Sequence, residues 1–500
     1  MIEDELHELI EKVRRRGCEW QTTEVKAAHR GCPERLYDTI SAFSNQNDGG
    51  VMLFGLDERN QFEKVGVYDA QTLQKKVMEY CEQMTPVVRP VFTVWDEEGK
   101  VFVSAEIPPL DVAERPCFRT AQGRLKGSYK RVGDADKPMT EYEVYSYEAF
   151  RKRYRDDIRP AEGVTPDMLN QDLLEIYQVR MRNERPNLAR VTEQQQYELN
   201  GVTQGGKITL AALLLFGLFP QSFYPRLYIS ATRIPGMEMG VTDLFGNRFS
   251  DSKRIEGTIP EMLQKALDFV RNNMHVSTGI DPLTGKRIDI PQYPMDAVRE
   301  AVLNALVHRD YSIHTESKPI QLNMYEDRME IINPGGLYGR LTIDQLGYMQ
   351  PDTRNPIIVT AMEIMDETEN RYSGIPTIRN AMAQRKLPEP LFVDTTGEFK
   401  VILYHSLKTI ETVSTIGKTP ASIHAMDEKQ LLEFCHIPRT RSEIISYLNI
   451  GSGQYALRRY LDPLLKQGLI RMTIPEKPRS HSQKYVTVEE PFGCKKGVKI

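Results

Sequence analysis

The chain has 500 residues, more than a single hydrophobic core normally serves, so three or four domains are expected. With 40% hydrophobic and 27% charged residues it reads as soluble and globular, which excludes a disordered or fibrous chain. The net charge of −4 is unevenly spread: residues 426–500 hold 13 Lys/Arg against 8 Asp/Glu, leaving −9 on the rest, and a basic tail on an acidic body favours local contact with phosphates.

The opening stretch, MIEDELHELIEKVRRR, is charged from residue 3 and has no signal-peptide core; Ile2, Leu6, Leu9, Ile10 and Val13 recur at helical spacing instead. A second periodic segment carries Leu36, Ile40 and Phe43. GGVMLFGL (49–56) reads as a buried strand, and VFTVW with KVFVSAEI as a hairpin across 96–99. This compact α/β domain ends near residue 155. Residues 156–290 mix helical and strand patterns and are taken as a middle α/β connecting region. Their apolar run at 208–219 is too short to span a bilayer, so no membrane contact is expected. Six scattered cysteines (Cys18, Cys32, Cys81, Cys117, Cys435, Cys494) form no CxxC pair, which argues against a zinc ribbon or disulfide scaffold and fits a reducing, cytoplasmic location.

From Asp296, which could cap it, DAVREAVLNALVHRD predicts an amphipathic helix. A hairpin (PIQLNMY, RMEII), the glycine loop NPGGLYGR and a final strand, EFKVILY, complete a unit over 291–410. In the tail, over 426–490, RTRSEIISYL and SGQYALRRYLDPLLKQGL read as two helices. RMTIP and QKYVTV then flank a basic turn, the order of a winged helix-turn-helix. The expected architecture is thus α/β and multidomain.

Glu300 and Asn304 lie four apart on one helix face. A carboxylate there can orient or deprotonate water, and a carboxamide oxygen can ligate Mg²⁺ without adding charge beside a triphosphate. His308 follows one turn on, as a phosphate contact or a packing group. Asn333 offers both an acceptor and a donor to a purine edge, and Gly335 and Gly336 allow close backbone approach. EAVLNALVHRDY followed by NPGGL, RNP and SGI resembles the Bergerat ATP-binding α/β sandwich of gyrases, histidine kinases and mismatch-repair ATPases. It is most similar to the module of bacterial Schlafen-related regulators. The resemblance implies ATP and Mg²⁺ as cofactors, Glu300 as the water-orienting base and Asn304 as the metal ligand. It also implies that Asn333, Gly335 and Gly336 frame the adenine, with Arg354, Asn355, Ser373 and Gly374 near the phosphates. Two departures stand out: the superfamily usually has Asp at the place of Asn333, and Tyr372-Ser373-Gly374 has one glycine where the lid usually has two. GVTQGGKIT (201–209) has Walker-like spacing but places Ile208 where Mg²⁺ needs Ser or Thr.

GCEWQTTEVKAA, AFSNQNDGGVMLFGLDE and RLKGSYKRVGD resemble the Schlafen-type AlbA domain, over roughly 10–150. In some relatives matching acids form a metal-dependent RNA-cleaving site, which would carry over to Glu19, Glu24 and Asp57; a binding or fold-preserving role is the alternative. Lys126, Lys130 and Arg131 would touch phosphate or form a solvated basic edge. In the tail, Ser452, Gln454, Tyr455, Arg458 and Arg459 would enter the major groove of double-stranded DNA, with Lys477, Arg479 and Lys484 on the backbone. The whole reads as an ATP-binding, DNA-binding regulator, and a homodimer would suit paired half-sites. The rivals are a metal-dependent nuclease and a scaffold with a degenerate pocket.

Overall fold

The computed structural model describes residues 1–280, 285–365, 374–395 and 397–405, and in the tail 431–432, 434–440, 443–444, 461, 464–465, 469–473 and 483–487. The chain divides into two compact units, Met1–Leu407 and Lys408–Ile500. No helix among the described residues is long and apolar enough to cross a membrane, and five of the six cysteines are free thiols.

In the N-terminal domain, helix α1 (Glu3–Arg16) buries Leu6, Ile10 and Val13 and ends on Gly17, whose φ of 60° makes the left-handed cap. Strand β1 (Thr23–Lys26), helix α2 (Tyr37–Ser44), strand β2 (Gly50–Phe54), helix α3 (Ala70–Glu82) and strands β3 (Val91–Glu97) and β4 (Lys100–Ile107) follow. The four strands form one sheet in the order β1-β2-β4-β3, with only β1 and β2 parallel. Leu53 and Phe102 pack with α1 on one face, whereas Met52, Phe54, Val103 and Ala105 pack with α2 and α3 on the other. Burial on both faces is why GGVMLFGL is apolar without alternation. A small ladder, β5 (Tyr129–Val132) with β6 (Ala135–Pro138), leads into α4 (Glu141–Lys152), which begins with a Thr140–Glu143 capping box.

Helix α5 (Gln171–Glu184) and helix α6 (Leu210–Phe216) come next; all seven residues of α6 are buried, which accounts for the apolar run. The following elements are β7 (Ile229–Arg233), β8 (Asp251–Ile255), α7 (Ile259–Asn273), the hairpin β9 (Val276–Ile280) and β10 (Arg287–Pro291), and α8 (Met295–His308). Then come β11 (Ile320–Met324), β12 (Arg328–Pro334), α9 (Pro356–Ile364), α10 (Gly374–Gln384), β13 (Leu391–Thr395) and β14 (Glu398–Tyr404). One six-stranded sheet runs β8-β7-β11-β12-β14-β13, with α7 and α8 against it. The expected boundary between a middle region (156–290) and a nucleotide module (291–410) falls inside this sheet. Ile229–Arg233 pairs in parallel with Ile320–Met324, and one continuous core runs from Ala161 to Leu403. Asp296 is not the cap of α8; Pro294 precedes the helix and Asp296 lies in its first turn, where a carboxylate still favours the positive helix end.

In the tail unit, β15 (Arg439–Thr440), β16 (Ile470–Met472) and β17 (Lys484–Thr487) form a sheet in the order β15-β17-β16 over a core that includes Leu431, Cys435, Ile444, Leu461 and Leu464. The helix expected from Arg439 is corrected at its start, because Arg439 and Thr440 pair with Tyr485 and Lys484 as a strand. Ser452, Gln454, Tyr455, Arg458, Arg459, Lys477 and Arg479 lie outside the described residues; Lys484 is exposed on β17.

Candidate nucleotide site

Helix α8 buries Ala297, Val298, Ala301, Val302, Ala305 and Leu306, leaving a stripe on which Glu300, Asn304 and His308 succeed one another every four residues. All three line one cavity of about 170 Å³, together with Asn333, Gly335, Gly336, Arg354 and Gly374. Its floor is sheet: Asn333 pairs with Phe399 and Ile331 with Val401, four side chains on one face by the two-residue period.

Asn304 donates from Nδ2 to Oε1 of Glu300 at 3.2 Å. Burial raises the Glu300 carboxyl above its ordinary value, against the opposing pull of Arg299 and of that hydrogen bond. Gly374 sits over the pair, for a Cβ there would come within 2.3 Å of Glu300 Oε1. Burial and the guanidinium of Arg354 push the His308 imidazole down to about 4, so it is neutral at physiological pH. Asn333 is only 5% exposed, and its Oδ1 has no hydrogen-bond partner. An unsatisfied buried carboxamide costs about 1–3 kcal/mol and is the kind of group a bound molecule would satisfy. Mg²⁺ commonly takes one or two protein oxygens plus phosphates and water, and the Asn304 oxygen, with its amide already turned to Glu300, fits that role.

Other expectations need correction. Gly335, at φ 99°, and Gly336 are required by the protein itself: a Cβ would meet Asp310 Cβ at 2.5 Å in the first and Asp394 Oδ1 at 2.7 Å in the second. Arg354 is not a free phosphate contact. Its Nη1 lies 2.9 Å from Asp310 Oδ2, its Nη2 donates to Gly336 O at 2.7 Å, and it covers the Tyr338 ring. Asn355 lies outside the cavity, fully buried, donating to the carbonyls of Val307 (2.9 Å) and Arg309 (2.7 Å) and so closing the C-terminal end of α8. Ser373 lies outside the described residues. The Walker-like segment is a hairpin whose Gly205 and Gly206 amides donate to Glu198, so the protein's own carboxylate fills the anion nest.

Sequence reasoning missed Asp310 and Tyr142. Burial pushes the Asp310 carboxyl up, but Arg354 and the Tyr142 hydroxyl, which donates to Oδ2 at 2.7 Å, outweigh it and hold it below the usual range. Tyr142 belongs to α4, so a buried chain of contacts joins the N-terminal domain to the carbonyl of the glycine loop. Phe150 against Tyr338, and Arg340 bidentate on Asp111 at 3.0 Å, reinforce this junction. Asp310 stood in the HRDY run without a role; nothing local marks Tyr142.

The N-terminal acids have partners within the protein. Glu19 and Glu24 are brought together, yet Arg131 stands between them, 2.7 Å from Glu24 and 3.8 Å from Glu19, and Lys26 pairs with Glu24. Asp57 is turned to the amide of Arg59 and the side chain of Asn60, capping a short turn. Among the described residues no three His, Cys, Asp or Glu side chains are grouped to hold a metal ion. Arg131 is buried rather than presented to phosphate, Lys130 pairs with Glu143, and Lys126 is exposed. Burial, then the charge of Glu24, push Glu19 up to about 8. The unfolded carboxyl releases its proton near 4.5, so the protonated form contributes stability that is complete below that pH and lost as pH rises through about 8. Glu19→Gln is therefore expected to match the native chain at pH 4 and exceed its stability at pH 9 by roughly 1–2 kcal/mol, Arg131 meeting part of the charge. Thermal denaturation at the two pH values checks this; a constant difference between them would contradict it.

Residues 19–140 match the family model described as "Schlafen, AlbA_2". Residues 317–403 match "Putative ATP-dependent DNA helicase recG C-terminal", and residues 428–487 match "Filamentation induced by cAMP protein Fic-like, C-terminal domain". The chain is thus similar to Schlafen AlbA_2 domains at its N-terminal end and to a RecG-type C-terminal domain in its centre. Among solved structures it is similar to the DIP2311 protein from Corynebacterium diphtheriae, at 17% identity over 97% of each chain with a TM-score of 0.39. It is also similar to the N-terminal domain of a RecG-related protein, titled a putative ATP-dependent DNA helicase, from Nitrosomonas europaea. That likeness has 24% identity over 27% of this chain and 93% of that one, with a TM-score of 0.23. No curated protein matches.

Proposed function

We propose that the cavity under the NPGG loop is a Bergerat-type site for ATP with Mg²⁺, in a chain that acts as a DNA-binding regulator. The observation that carries this reading is the unpartnered buried carboxamide of Asn333 in the cavity that also holds the Glu300–Asn304 pair. Asn333 binds the base, Asn304 offers an oxygen to the metal, and Glu300, its basicity raised by burial, takes a proton from water. Bound Mg²⁺ would supply charge neutralisation at the phosphates. The name of the family matched by residues 317–403 supports a link between ATP and DNA.

DNA binding is assigned to a winged helix over 426–490, supported by the basic charge of the tail and its three-stranded sheet. Arg458→Ala with Arg459→Ala is expected to weaken DNA retention and to flatten its salt dependence. An unchanged gel shift across a salt series would remove the tail from the reading. Coupling requires that ATP bind two arrangements of the chain unequally, and the Gly336–Arg354–Asp310–Tyr142 contacts connect the cavity wall to the N-terminal domain.

A further inference from the structure

The four floor side chains of the cavity are unequal. Ile331, Phe399 and Val401 offer only apolar contact, so Asn333 alone can hydrogen-bond a ring lying on that floor. Its carboxamide is nine-tenths buried, and among the described residues it takes no hydrogen-bond partner. A carboxamide differs from a carboxylate in carrying a donor beside its acceptor, and a half-turn about its last bond exchanges the two. Among the described residues no hydrogen bond holds the amide against that half-turn.

A 6-aminopurine presents a donor at position 6 and an acceptor at position 1. A 6-oxopurine presents the same two positions with polarity reversed. One amide orientation satisfies the first edge and the opposite orientation the second, with equal numbers of hydrogen bonds. An acceptor-only carboxylate would make one hydrogen bond and one acceptor–acceptor clash with either edge, facing position 1 of the first or the 6-oxo oxygen of the second. We propose that Asn333 makes this a purine site that accepts 6-oxopurine nucleotides as well as adenine nucleotides, an inference that rests on the nucleotide-site reading above.

Inosine triphosphate is the probe, because it reverses the polarity of that edge without adding the 2-amine of guanine. Calorimetric titration of the whole chain with Mg²⁺ and either ATP or inosine triphosphate is expected to give affinities within about tenfold of each other. Asn333→Asp should then weaken both nucleotides by at least about tenfold, since the carboxylate loses the donor that each edge needs and leaves one acceptor unpaired. A native chain that binds ATP but binds inosine triphosphate more than about 100-fold more weakly overturns the proposal without any variant. So does an Asn333→Asp chain that binds both nucleotides as tightly as the native chain. If ATP itself fails to bind, the nucleotide-site reading has failed, and that outcome is distinct from discrimination between the two bases.

Discussion

Asp310→Ala is expected to lower the free energy of unfolding of the Met1–Leu407 unit by about 3–5 kcal/mol, the usual effect of removing one partner of a buried ion pair. Asp310 is 4% exposed and Arg354 9%, so the guanidinium left behind would lose its directly paired carboxylate and keep the Gly336 carbonyl and the Tyr142 hydroxyl as neutral partners. The same substitution frees the hydroxyl of Tyr142 and the amide of Ser312, which both donate to the lost carboxylate. Tyr142→Phe separates the two effects: it removes one hydrogen bond, spares the ion pair, and is expected to cost about 1 kcal/mol. Urea unfolding of the whole chain reads both. A loss below about 1 kcal/mol for Asp310→Ala would mean that Arg354 finds another partner, and the path from glycine loop to N-terminal domain would then have no energetic basis.

Glu300→Gln is expected to reduce the rate of ATP hydrolysis by about 10²–10⁴, with a far smaller effect on binding. The carboxyl is placed by two restraints, the amide of Asn304 at 3.2 Å and the backbone of Gly374 close above it. Glutamine keeps the shape and can still accept from Asn304, but it cannot take a proton from water. Single-turnover phosphate release separates the effects. Equal rates in the two chains would remove Glu300 from the base role and leave it a wall of the cavity.

The parts of the fold legible in the sequence are those written in local periodicity. The α8 stripe could be read from its alternation of small apolar residues with Glu300, Asn304 and His308, and the floor strands from their two-residue pattern about Glu326-Asp327-Arg328. What escaped was non-local. The parallel pairing of Ile229 with Ile320 spans 91 positions, so the sheet looked like two regions. Arg131 reaches Glu24 from over 100 residues away and turns an apparent metal pair into an ion-pair cluster. Tyr142 meets Asp310 across 168 positions. The motif residues Arg354 and Asn355 show a subtler difficulty: side chains that could serve a phosphate are instead holding the ends of the elements around the cavity. Type and spacing announce a chemistry, but the partner that consumes it comes from elsewhere in the chain.

The most direct test is calorimetric titration of the whole chain with ATP, with and without Mg²⁺, beside the Asn304→Ala chain. Saturable one-to-one binding that Mg²⁺ strengthens in the native chain, and strengthens at least about tenfold less in Asn304→Ala, is the predicted result. No heat of binding at millimolar ATP, or a Mg²⁺ effect identical in both chains, would contradict a nucleotide site built on α8 and the NPGG loop.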